Sequence, residues 1–117
     1  AFVKSFGQAY GFPPSQAAHT TYCQALLYAD ACQRAGTFMP SGVGAALEGF
    51  TFDGLGNGPT EYRADDHQCF KDVLVVQGKE NPASKFDVLE VVEVTPRAQV
   101  EYPASMLGGN LGPYNNG

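Results

Sequence analysis

Positive charge is scarce in this chain. Seven Lys and Arg stand against twelve Asp and Glu, for a formal net charge of -5, so its surface would repel phosphate backbones and anionic lipid heads. Nucleic acid and membrane surfaces are therefore not expected as partners. No apolar run approaches the ~20 residues that cross a bilayer, so no membrane insertion is expected. Internal repeats are absent, and low complexity is confined to a Pro, Gly and Asn-rich end. No basic-then-apolar leader stands at Ala1, which leads to the expectation that a signal has been removed or an upstream portion is missing. Charged residues are few, at 16%, yet 44% hydrophobic and 12% aromatic residues suffice for a core and exclude disorder by composition. The 117 residues have room for one domain, or for one piece of a larger one.

Cysteine is sparse, and its three copies give no disulfide framework. Cys23 and Cys32 would lie on opposite faces of a helix and roughly 13 Å apart along its axis, beyond disulfide reach. At most one of them could meet Cys69, so at least one thiol is free or pairs with another chain. Three buried small hydrophobes is an equally open reading.

What is present is organised first by helical spacing. Phe2, Phe6 and Tyr10 fall on one helix face, and Gly11 with Pro13 and Pro14 ends the run. Ser15 can cap a second, longer helix that closes at Gly36 behind Arg34. Its apolar stripe comprises Ala18, Tyr22, Ala25, Leu26 and Ala29, widened by Leu27, Tyr28 and Ala31. A helix this apolar expects cover from more than one direction. Ser41 to Gly49 reads as a short third helix, weakened by Gly42 and Gly44.

The period then changes. "FTFDGLGNGPTEY" predicts a β-hairpin around its glycines. Val73 to Val76 is the run of a strand covered on both faces, and Phe86 to Val94 is another strand, separated from it by a turn holding Asn81 and Pro82. From Pro96 the chain reads as loop or extended arm. Three helices followed by so few strands lack a sheet to pack on. The expectation is an α/β structure whose central sheet lies in other chain.

Several stretches in order, "FVKSFGQAYGFPP", "AAHTTYCQALLYADACQRAG", "GVGAALEGFTFDGLGNGPTEYRADDHQ", "DVLVVQGKE" and "VLEVVEV", resemble the C-terminal third of type I periplasmic solute-binding proteins of the leucine/isoleucine/valine-receptor kind. The resemblance runs from Phe2 to Val94. It implies an α/β fold: the C-terminal segment of a two-lobed receptor, its helices packing on a sheet largely supplied by other chain. Residues 1–69 would be helices and hairpin of the first-lobe type, 70–95 crossing strands of the second-lobe type, and 96–117 an extended tail.

The densest chemistry lies in "EYRADDHQCF", Glu61 to Phe70. As a metal cage it fails, because only Asp65, His67 and Cys69 could share a face of an extended chain and no second ligand cluster closes the shell. As a Cys69–His67 nucleophile pair it lacks an orienting third group and an oxyanion turn. The resemblance implies instead a polar turn at the interlobe crossing, with His67, Gln68 and Phe70 as hinge residues and His67 and Gln68 satisfying backbone groups.

The resemblance also places the start of the long helix on the ligand cleft, with His19, Thr20 and Tyr22 as candidate ligand-binding residues. Helix capping and solvation of His19 and Thr20, and a core position for Tyr22, are open readings beside it. No catalytic residue, metal or cofactor is expected. The implied function is part of a periplasmic receptor for an ABC importer of amino acids or similar small polar ligands, closing by a hinge without chemistry. The alternative is a small structural subunit of this descent that wraps onto a larger partner chain. Either way, another polypeptide or a missing N-terminal portion completes the fold.

Overall fold

A computed structural model describes residues 2–53 and 58–107. The element order is α1 (Phe2–Tyr10), α2 (Gln16–Ala35), α3 (Pro40–Leu47), β1 (Thr51–Phe52), β2 (Thr60–Tyr62), β3 (Cys69–Phe70), β4 (Val73–Gly78), β5 (Leu89–Thr95) and α4 (Arg97–Val100), then a 3-10 turn at Ala104–Leu107. Gly54 and Gly56 of the first hairpin, and the last ten residues, lie outside the described residues.

The helix ends are where the sequence puts them. Ser15 caps α2 by accepting a hydrogen bond from the Ala18 amide at 3.1 Å, and Gly36 closes it in the left-handed region with φ 64°. Gly11 ends α1 with φ 77°. The aromatic face of α1 stacks along itself, with Phe6 4.6 Å from Tyr10, and onto α2, with Phe2 4.5 Å from Tyr22.

Which face of α2 is covered differs from expectation. Cys23, Leu27, Ala31 and Cys32 are buried, whereas Tyr22, Ala25, Leu26 and Ala29 of the main stripe are exposed. The reason is that α3 is the helix available to pack there: Ala31 and Cys32 meet Val43, with Ala46 and Leu47 alongside. Burying Val43, 4% exposed, contributes roughly 2 kcal/mol. Arg34 joins the same corner, bonding Asp30 at 2.8 Å and the Ala46 carbonyl while its guanidinium lies 3.7 Å over the Phe50 ring. None of the three cysteines forms a disulfide among the described residues.

Among the described residues two small antiparallel sheets follow. The first has the order β1-β2-β3, with Phe52 opposite Thr60 and Tyr62 opposite Cys69. Cys69 and Phe70 form β3, which pairs with β2 at the edge of this sheet. The second sheet is β4-β5 alone, in register from Val73 opposite Thr95 to Gly78 opposite Leu89, with a bulge at Val75/Val76. Its expected two-sided cover is not present within the described residues: Val75 and Val76 are each 45% exposed, Val91 55% and Val92 50%. Alternate residues of a strand face opposite ways, so both faces are uncovered.

The segment after Thr95 is not an extended arm in its described part. Pro96 supplies the extended residue that starts α4, and the chain then folds back so that Tyr102 sets its ring edge-on to Phe70, 5.0 Å between centroids. Proline and glycine content hid this, because the return is fixed by tertiary partners rather than by local pattern.

Candidate functional site

Two places bring together residues with polar chemistry. The first is a groove of about 440 Å³ between α1, α2 and β1, lined by Phe2, His19, Tyr22, Leu26, Asp30 and Phe52 among others. His19 and Tyr22 are three positions apart on α2, hence on one face. Phe2 covers both, 5.5 Å from the imidazole and 4.5 Å from the phenol ring. His19 Nε2 lies 3.5 Å from Cys23 Sγ, one turn on. The groove is thus aromatic-walled with an imidazole at one end and the Asp30 carboxylate, already paired with Arg34, at the other.

Thr20 does not share that groove. One residue on, it is turned about 100° around the helix; its hydroxyl donates to the Gln16 carbonyl at 3.0 Å, and it lines a separate cleft of about 170 Å³ with Gln24, Tyr62, Cys69 and Lys71.

The second place is the turn from Arg63 to Gln68. Arg63 grips Asp66 with two bonds, Nε to Oδ1 at 2.8 Å and Nη2 to Oδ2 at 2.5 Å. Asp66 is buried, and the guanidinium beside it holds its carboxyl below the usual carboxylate range. The other Asp66 bond comes from the Gln68 amide at 3.2 Å. The backbone closes the turn: His67 N–H donates to the Arg63 carbonyl and Arg63 N–H to the Gln68 carbonyl, each at 2.9 Å.

His67 sits in the left-handed region with φ 57°, which costs roughly 1 kcal/mol for a residue with a Cβ. Its ring is held by Glu48, the residue that caps the end of α3, with Nε2–H donating to Oε1 at 2.9 Å. Gln68 is exposed and contributes backbone groups. Phe70 is buried, with Arg63 4.8 Å above its ring and Tyr102 at its edge. The three expected hinge residues therefore occupy one turn and the strand leaving it. Cys69 is partly exposed, and burial pushes its thiol pKa up, away from the reactive thiolate. Among the described residues no three His, Cys, Asp or Glu side chains converge as a metal shell. No described helix is long and apolar enough to cross a membrane.

Sequence reasoning missed Arg63 and Arg97. Arg63 also donates to the Tyr102 carbonyl at 2.7 Å and stands 3.6 Å from Glu101. Arg97 bonds Glu61 on β2 and Glu101, each at 3.0 Å, and its amide donates to Asp72 at 2.7 Å. Glu61, Arg97, Glu101, Arg63 and Asp66 thus alternate in charge across the place where the chain leaves the first sheet and returns to it. The i, i+3 spacing of Arg63 and Asp66 was a usable signal; the partners far along the chain were not.

A family model of periplasmic binding proteins matches residues 1–84. The chain belongs to that family. Solved structures agree. One, the substrate-binding protein of an amino acid ABC transporter from Pseudomonas fluorescens Pf-5, is 27% identical with a TM-score of 0.73, over 92% of this chain and 28% of that one. A branched chain amino acid ABC transporter periplasmic ligand-binding protein from Burkholderia xenovorans LB400 is 26% identical with a TM-score of 0.78, over 90% and 28%. A branched-chain amino acid transporter from Rhodopseudomonas palustris CGA009, 23% identical, shares the fold with a TM-score of 0.66, over 98% and 28%. No curated protein matches the chain. The chain therefore spans 28% of the length of these solved proteins and has the α/β fold of a segment of a two-lobed periplasmic binding protein.

Proposed function

We propose that this chain is part of a periplasmic receptor that binds an amino acid or a similar small polar solute for an ABC importer, closing over it by hinge motion without chemistry. The observation that carries the reading is the family match across residues 1–84, together with likeness to binding proteins of amino acid transporters. The uncovered faces of β4 and β5 support it, because a sheet of two strands with valines on both sides needs backing that the remaining length of such a receptor supplies.

In this reading the end of the α1–α2 groove where His19 and Tyr22 meet Phe2 lies toward the cleft, and Thr20, on another face, is at most peripheral. Residues 1–69 belong to one lobe and 70–95 to crossing strands, with His67, Gln68 and Phe70 next to the hinge. The turn's double ion pair and its strained His67 suit a fixed support beside a moving joint.

The test is calorimetric titration of the receptor chain carrying this segment with the common L-amino acids. Saturable binding of one or a few, with a size-exclusion profile of a single two-lobed chain, is expected. A folded receptor that binds none of them, and none of a panel of other small polar solutes, overturns the reading. Recovery of the segment in stable complex with an unrelated larger polypeptide would favour the structural-subunit alternative.

A further inference from the structure

Gly7 stands in the middle of α1, where glycine costs about 0.5–1 kcal/mol relative to alanine. It is also the one residue of α1 that is buried. The cause is Phe86, from the loop joining β4 to β5: a Cβ on Gly7 would meet the ring at 2.7 Å from Cε1 and 2.8 Å from Cζ. Helix and ring can approach this closely because position 7 lacks a side chain. Beside it Lys85 donates to the Gly11 carbonyl at the end of α1, at 3.0 Å, while its ammonium lies 5.0 Å over the same Phe86 ring.

The loop that presents Phe86 is itself braced. Asp87 accepts from Lys79 at 2.5 Å and from the Ala83 amide at 3.3 Å, and the Phe86 amide donates to Ser84 Oγ at 3.2 Å. A free loop would not aim a ring at one glycine; this one holds its ring by bonds at both ends. The contact is narrow, since Val3, Lys4 and Gln8 line an open cleft around it.

Its position matters as much as its fit. The β4-β5 hairpin joins the rest of the described chain through two passes side by side, at Lys71–Asp72 and Thr95–Arg97, tied by the Arg97 amide on Asp72. The Phe86 loop is at the opposite end, about 20 Å away along a six-residue strand. A rotation of about 10° at the two passes would move the loop by about 3 Å, more than van der Waals contact tolerates. The contact is therefore either made or broken.

We propose that Phe86 seated on Gly7, with Lys85 on the Gly11 carbonyl, is a latch that fixes the angle of the β4-β5 hairpin against α1. The latch stands apart from the receptor reading; its use in lobe closure rests on that reading.

The test uses the receptor chain carrying this segment, without ligand, with spin labels on non-cysteine side-chain attachments at positions 5 and 81, the second in the loop that carries Phe86. The parent should give one narrow distance. Gly7→Ala and Phe86→Ala should each broaden the distribution, and the double variant should match the singles, because both remove one contact. Gly7→Ala improves helix propensity, so loss of the narrow distance there is not a folding failure, and a retained helical circular dichroism signal checks this. Unchanged distances in both single variants overturn the latch, whatever the solute titration shows. If solute binds, both variants should shift its affinity by the same factor, roughly threefold to tenfold; equal affinity in parent and variants would overturn the coupling to closure alone.

Discussion

Arg63 and Asp66 face each other across a single turn in a fork-to-fork pair, Nε to Oδ1 at 2.8 Å and Nη2 to Oδ2 at 2.5 Å, with Phe70 below the guanidinium and the Tyr102 carbonyl on its far side. One arginine thereby joins the turn, the first sheet and the returning chain. Two-bonded geometry of this kind is specific to arginine, so lysine cannot replace it.

Strong acid should loosen this turn. The Asp66 carboxyl has a lowered pKa because of Arg63, so its contribution to stability is fully present above the ordinary carboxylate value and is lost as pH falls through the lower folded value. Asp66→Asn should therefore lower the urea midpoint at pH 7 and flatten its dependence on pH below about 4. Parallel acid limbs in parent and variant would contradict this.

The helical corner should behave as a small, well-packed core. Val43→Ala, facing Ala31 and Cys32, should cost about 2 kcal/mol in urea unfolding at pH 7. A loss below about 0.5 kcal/mol would mean that the α2–α3 contact is not a stability centre.

Removing the cap of α2 should cost less. Ser15→Ala takes away the acceptor of the Ala18 amide and should lower stability by about 1 kcal/mol, while Ser15→Asp should retain most of it. Thermal unfolding followed by circular dichroism gives both values.

The cysteines should separate by reactivity. Cys69 is accessible but its thiol is raised in pKa by burial, whereas Cys23 and Cys32 are buried. Iodoacetamide at pH 7.5 should add one group to the folded protein, at Cys69, more slowly than to an unstructured thiol, and three after urea unfolding. Intact mass against time reads both. Addition at Cys69 faster than to the unfolded chain would require a different environment.

Local pattern made the helices legible. Ser15, Gly36, Gly11 and the Phe2-Phe6-Tyr10 spacing each act within a few residues, so the sequence carries them directly. The hairpin from Thr51 to Tyr62 was legible for the same reason. What stayed hidden depends on partners far along the chain: the covered face of α2 is chosen by α3, and the return after Pro96 by Arg63 and Phe70. In the candidate site, His19 and Tyr22 share a groove, whereas Thr20, which the resemblance placed with them, is turned about 100° around the helix and lines another cleft. The Gly7–Phe86 seat has no local signal beyond an unexplained mid-helix glycine.

The bare valines of β4 and β5 bear on how this polypeptide can be handled. Among the described residues no further strand pairs with either outer edge of this hairpin, and two strands with greasy side chains above and below are a template for sticking to copies of themselves. Covering this hairpin, or placing a charge on its valine faces, should therefore reduce self-association of the segment.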